Sequence, residues 1–202
     1  MDRVNPWEYH FDLTEERICV VASMIVDGRH SALDRYDEAA GDNGWTHGCR
    51  AFQFGRHRIL KAVDSGDYPW LTAIDRSLQL IFKIGEVPVR IYKGLPEEPT
   101  TRTLRQSFGE LRQLGLLFPT CDGGRELAYR FAIETDLDGS VLAVNFVGLH
   151  GDTAILNWDV PFDSNLGFTG TVGREASESV ELEPPSVGVR SDRIPDVGNA
   201  DA

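Results

Sequence analysis

A chain of 202 residues, 41% of them hydrophobic, is long enough to bury one substantial core and short for two. Its formal net charge of −12 repels phosphate at long range, which excludes indiscriminate binding to nucleic acid or anionic membrane; nucleic acid would be met only through a local basic patch. No apolar run approaches the roughly 18 residues that cross a bilayer, and the start, MDRVNPWEYHFDL, lacks a secretory signal's basic-then-apolar order, so a cytoplasmic protein is expected.

The first element read from the sequence is a helix. Asp12 or Thr14 supplies its N-cap and Glu15 opens its first turn. Ile18, Val21, Ala22, Ile25, Ala32, Tyr36 and Ala40 then fall on one face, carrying the helix to about Ala39. Because ICVVASMIV is apolar all round, periodicity leaves open a buried strand over residues 18–26, ended by the Asp27-Gly28 turn; helix is the expectation. Arg29 lies on the apolar side, where a guanidinium needs a carboxylate or carbonyl partner, so a structural ion pair is expected there. GDNG breaks the chain, and a second helix runs from about Gly48 to Val63, closed by DSGDYP.

From Ser77 the pattern changes to strands. LQLIFKIGEVPVRIYK reads as a hairpin about Gly85-Glu86, and Pro88, which cannot donate to a ladder, either starts the second strand or marks an edge. PEEPTT is a loop, after which Leu104, Phe108 and Leu111 mark a short amphipathic helix ending near Gly115. AYRFAIETD, SVLAVNFVGL and TAILNWDVPF follow as an antiparallel meander turned at Asp138-Gly139 and at HGD. The middle strand is apolar on both faces and so is central, with the N-terminal helices as its available cover.

The fold class expected is therefore α+β: a mostly antiparallel sheet of about five strands covered by two N-terminal helices, with one short helix inserted between strands 2 and 3. It forms a single globular domain over residues 1–170, followed by a disordered acidic tail over 171–202 that is poor in large apolar residues.

No H-E-x-x-H, G-x-S-x-G, P-loop lysine motif or dinucleotide-type glycine turn is present, so no cofactor is called for. Chemistry concentrates instead in GWTHGCRAFQFGRHRILK, residues 44–61. Cys49 in a helix's first turn, with His47 as base, would make a nucleophile; His57 is eight residues further along, about 12 Å on a helix, and cannot assist. His47, Cys49, Cys121 and His150 are zinc-ligand types, but a His-x-Cys pair lacks ligand spacing, so no metal is expected, and the three cysteines form no C-x-x-C pair or disulfide framework.

A basic stripe fits the pattern better. On such a helix Arg50, His57 and Lys61 align within about 40°, flanked by Gln53 and Arg58, as an anion- or partner-binding face or a solvated face paired to DRYDE. ETDLDGS lacks the closing Glu of a cation loop and reads as a turn. Two functions remain open, and enzyme activity is undecided between them. The first is a non-enzymatic protein-interaction module, one half of a two-component pair with a protein partner, using the stripe and the acidic tail. The second is a metal-independent, nuclease-like effector with His57 or His47 as acid/base and Arg50, Arg58 and Arg90 on phosphate, Tyr92 and either Arg102 or Arg105 completing the cleft.

Overall fold

A computed structural model of the protein describes residues 4–100, 104 and 127–162. The helix expected around Leu104, Phe108 and Leu111 lies outside them except for Leu104, which is helical; Arg102, Arg105, Cys121 and the tail lie outside as well. A short helix α1 (Pro6–Tyr9) precedes α2 (Glu15–Leu33), a 3-10 turn (Glu38–Ala40) and α3 (Gly44–Ser65). Six strands follow: β1 (Leu71–Asp75), β2 (Ile81–Ile84), β3 (Val87–Lys93), β4 (Ala128–Thr135), β5 (Val141–His150) and β6 (Thr153–Asp159).

Residues 18–26 are helical, within α2. Thr14 caps this helix by accepting from the Arg17 amide at 3.4 Å, and Glu15 and Glu16 complement its dipole. The helix stops at Leu33, short of the expected Ala39, because acidic side chains capture the next amides. Asp37 Oδ1 accepts from Ala39 and Ala40 at 3.0 and 3.2 Å, and Asp42 Oδ2 accepts from the Asp37 amide at 3.0 Å. Tyr36 and Ala40 are in consequence exposed rather than buried.

The second helix begins at Gly44, earlier than the expected Gly48, because Asn43 and Thr46 close a reciprocal cap. Asn43 Oδ1 accepts from Trp45 and Thr46 amides, and Thr46 Oγ1 accepts from the Asn43 amide at 2.8 Å. Gly66 ends the helix at φ 73°. The two long helices touch backbone to backbone: a Cβ on Gly28 would stand 2.5 Å from the Gly55 nitrogen.

The sheet order is β1-β2-β3-β4-β5-β6, antiparallel throughout except for the parallel β3–β4 pair. It is thus a six-stranded mixed sheet. The sixth strand is β1, a short bulged edge strand starting directly after a turn, which leaves little pattern to read. Pro88 sits inside β3, an interior strand, without loss: the β3–β4 ladder begins at Val89, so no partner awaits a proline N–H. The C-terminal meander forms with turns at residues 136–140 and 151–152 as expected.

Helices α2 and α3 cover one sheet face. Ile18, Val21 and Ile25 of α2 and Ile59 of α3 share a core with Phe82, Val89, Phe131, Val144 and Phe146. On the other face Ala128, Ala132, Val147 and Leu149 pack with Tyr92, Leu104 and Ala154. Asp12 ties the N-terminal segment to the β2–β3 turn, its carboxylate accepting from Arg17 at 2.6 Å and from the Glu86 amide at 3.1 Å. Gly85 leaves the room for it, since a Cβ there would collide with that carboxylate. No helix among the described residues is long and apolar enough to cross a membrane.

Gly28→Ala is expected to destabilise by about 1–3 kcal/mol through overpacking on backbone, whereas Gly55→Ala meets only the Ile25 Cα at 3.6 Å and should be neutral or stabilising. Thermal unfolding of both variants checks the asymmetry. Burial opposes ionisation of Asp12, but the Arg17 and Glu86 hydrogen bonds outweigh it and hold the carboxyl below its ordinary value. A depressed folded value means stability present above about pH 3.9 and lost as pH falls through the folded value. Urea unfolding should show that acid dependence in the wild type and lose this component in Asp12→Asn.

Candidate functional site

The basic stripe of α3 is taken apart by its neighbours. Arg50 grips Asp42 bidentately, at 2.8 and 2.9 Å, and also donates to the Arg35 carbonyl at 2.7 Å. Its partner is thus the residue before the N-cap rather than an acid of DRYDE. Arg58 donates to Ser31 Oγ at 2.8 Å, against α2. Gln53 accepts from Arg56, which also reaches the carbonyls of Ser77 and Arg76. His57 and Lys61 remain exposed on the helix. A shallow groove of about 240 Å³ beside Lys61 is lined by both signs of charge, Asp27 and Asp67 as well as Arg58 and Lys61.

The cleft expected for an effector does not form from these residues. Val89 and Ile91 point to the helix-covered core, so Arg90 and Tyr92 point to the other sheet face, where Arg90 pairs in register with Arg130 and Tyr92 with Ala132. The sheet stands between them and α3. Tyr92 donates to the Leu95 carbonyl at 3.2 Å, and burial, then Glu97, push it up to about 12, far from useful acid/base chemistry near neutrality.

Cys49 is exposed and, since α3 starts at Gly44, lies in the second turn; the first-turn thiolate reading loses its basis. His47 packs on Gly139 at the start of β5, while His150 ends that strand, roughly 30 Å away along an extended chain, so they cannot share a zinc ion. Among the described residues no group of three His, Cys, Asp or Glu is placed to hold a metal.

A different constellation emerges where α2 and α3 meet the β4–β5 hairpin. Arg29 and His47 are each 6% exposed. Arg29 Nε and Nη2, both ring nitrogens of His47 and Thr135 Oγ1 are buried and find no hydrogen-bond partner among the described residues. His47 Nε2 would lie 2.5 Å from a Cβ on Gly139, whose φ of 92° also requires glycine, and Tyr36 stands edge-on to the imidazole at 6.0 Å. Burial, then the charges of Arg29, Lys93 and Arg50, hold His47 below its ordinary value, against the opposing pull of Asp42. Burial likewise lowers Arg29.

The expected ion pair for Arg29 is therefore absent among the described residues. The sequence signals that Arg29 needs a partner and that His47 is unusual, but nothing in it joins them to Thr135. Two large apolar side chains on the adjoining segments are exposed: Trp45, in the first turn of α3, at 76%, and Leu137, in the hairpin turn, at 104%.

The hydrogen bond from Arg50, then that from the Asp37 amide, hold Asp42 down to about 2. Arg50→Ala should raise its titration towards about 3.9, and with the depressed value gone, whatever stability the pair adds above that pH disappears. Carboxyl-carbon NMR reads the shift; an unmoved Asp42 would mean that the pair does not form in solution. Comparison with protein-family models, curated proteins and solved structures finds no match to this chain.

Proposed function

We propose that this chain is a non-enzymatic protein-interaction module, one half of a two-component pair, which meets its partner at the end of the domain formed by α2, α3 and the β4–β5 turn. The observation that carries the reading is the exposure of Trp45 and Leu137 on segments joined by the His47–Gly139 contact. Each lies two residues along the chain from that contact, within about 8 Å of backbone reach, which puts both at this end of the domain. Tyr36 adds a third large exposed side chain there. Monomeric proteins rarely cluster such groups without an occupant, and tryptophan is the side chain that most often carries interface energy.

This moves the contact surface off the α3 stripe. His57 and Lys61 keep a peripheral role, while Arg50 and Arg58 are engaged within the fold. The acidic segment beyond residue 170 remains a second contact in this reading, suited to a basic surface. The nuclease-like alternative finds no support in the geometry, since Arg90 and Tyr92 lie across the sheet from His57 and Arg50.

Affinity capture with the full chain tests the proposal. A partner held by the wild type should be lost or weakened by at least about 30-fold in the Trp45→Ala, Leu137→Ala double variant, the size expected of an aromatic anchor worth about 2 kcal/mol. The melting temperature should stay unchanged, because both side chains are exposed. Equal capture by both proteins would sink the reading.

A further inference from the structure

We propose that Arg29, with His47 beside it, is a receptor for a single carboxylate of an acidic peptide segment. The proposal rests on the interaction reading for its kind of ligand, and it concerns buried donors at the same end of the domain as Tyr36, Trp45 and Leu137.

A buried guanidinium without a partner is costly, and the described fold offers nothing that offsets the cost. The partnerless atoms of Arg29 are Nε and Nη2, which lie along one edge of the planar group. Their N–H bonds run parallel and match the two oxygens of one carboxylate. A phosphate would want donors from several directions, and these lie along one. Thr135 Oγ1, on the helix-facing side of β4 beside the hairpin turn, and a ring N–H of His47 are the next buried donors at this end.

The charges that bear on His47 are mainly cationic. Arg29 from α2, Arg50 within α3 and Lys93 at the end of β3 all bear on His47 as cations, and Asp42, before α3, is the opposing acid, itself held by Arg50. In the hairpin turn Asp138 is turned onto the amide and hydroxyl of Ser140, and Asp136 onto the Leu137 amide. Binding a carboxylate at Arg29 cancels the largest of the charges that disfavour a protonated imidazole, so His47 takes up a proton from solvent as the anion binds. This chemistry is that of an acidic segment of a separate partner protein.

The test is histidine side-chain NMR on the full chain, in the wild type and in Arg29→Met. The probes are blocked tri-glutamate, blocked tri-glutamine and inorganic phosphate. Tri-glutamate should raise the His47 titration midpoint in the wild type, with affinity falling by up to about tenfold per pH unit as pH rises through that titration. Tri-glutamine should leave His47 unmoved.

Arg29→Met should abolish the response and leave the unfolding midpoint equal or higher, as for a buried charge exchanged for an apolar side chain. The proposal is overturned by an unmoved His47 in the wild type, by an undiminished response in Arg29→Met, by phosphate acting at lower concentration than tri-glutamate, or by a marked loss of stability in Arg29→Met. Partner capture that depends on Trp45 while tri-glutamate fails would sink the carboxylate receptor alone. The reverse pattern would sink only the apolar surface.

Discussion

The contact between Gly28 and Gly55 sets the geometry on which most of the described fold depends. With no side chain on Gly28, α2 and α3 approach there to backbone distance, closer than a larger residue at that position would permit. Everything α3 carries on its α2-facing side must then find its partner across that narrow gap. Arg58 bonds Ser31, Arg50 reaches the Arg35 carbonyl, and Arg35 lies over the Phe54 ring at 5.5 Å. Arg50 and Arg58, which look outward on a helical projection, are thereby drawn inward, while His57 and Lys61 stay exposed.

Two buried polar centres show how differently the fold treats charge. Asp12 receives Arg17 and the Glu86 amide, and Arg17 in turn stacks over Trp70 at 5.6 Å. Its charge is fully met, and it fixes the β2–β3 turn against the N-terminal segment. Arg29 is as deeply placed and meets no acid among the described residues. A protein whose net charge is −12 has carboxylates to spare, so this guanidinium's isolation reflects its position and not a shortage of acids.

Much of this architecture is legible in the sequence, and the exceptions have local causes. The long apolar faces of α2 and the meander β4–β6 announce themselves, because burial on a defined side imposes a period. The helix boundaries near residues 33 and 44 do not, since they depend on which of several neighbouring Asp, Asn and Thr side chains captures which amide. β1 is too short and too irregular to carry an alternation. Of the candidate site, the identities of Arg29 and His47 draw notice singly. Their placing at the β4–β5 hairpin requires knowing that its turn reaches the start of α3, and that is information about topology, which no spacing encodes.

The parallel pairing of β3 with β4 has a consequence for how the molecule assembles. Each of the other strand pairs is joined by a short connection, so β1–β3 with the helices and β4–β6 are two locally wired halves. The ladder from Val89–Lys93 to Tyr129–Ile133 is the seam between them, and the entropy of closing a long chain segment is concentrated there. His47 belongs to one half and Gly139 to the other. The end of the domain that holds Arg29, His47 and Thr135 therefore exists only after the seam has closed, which makes it a feature of the finished fold and absent from either half alone.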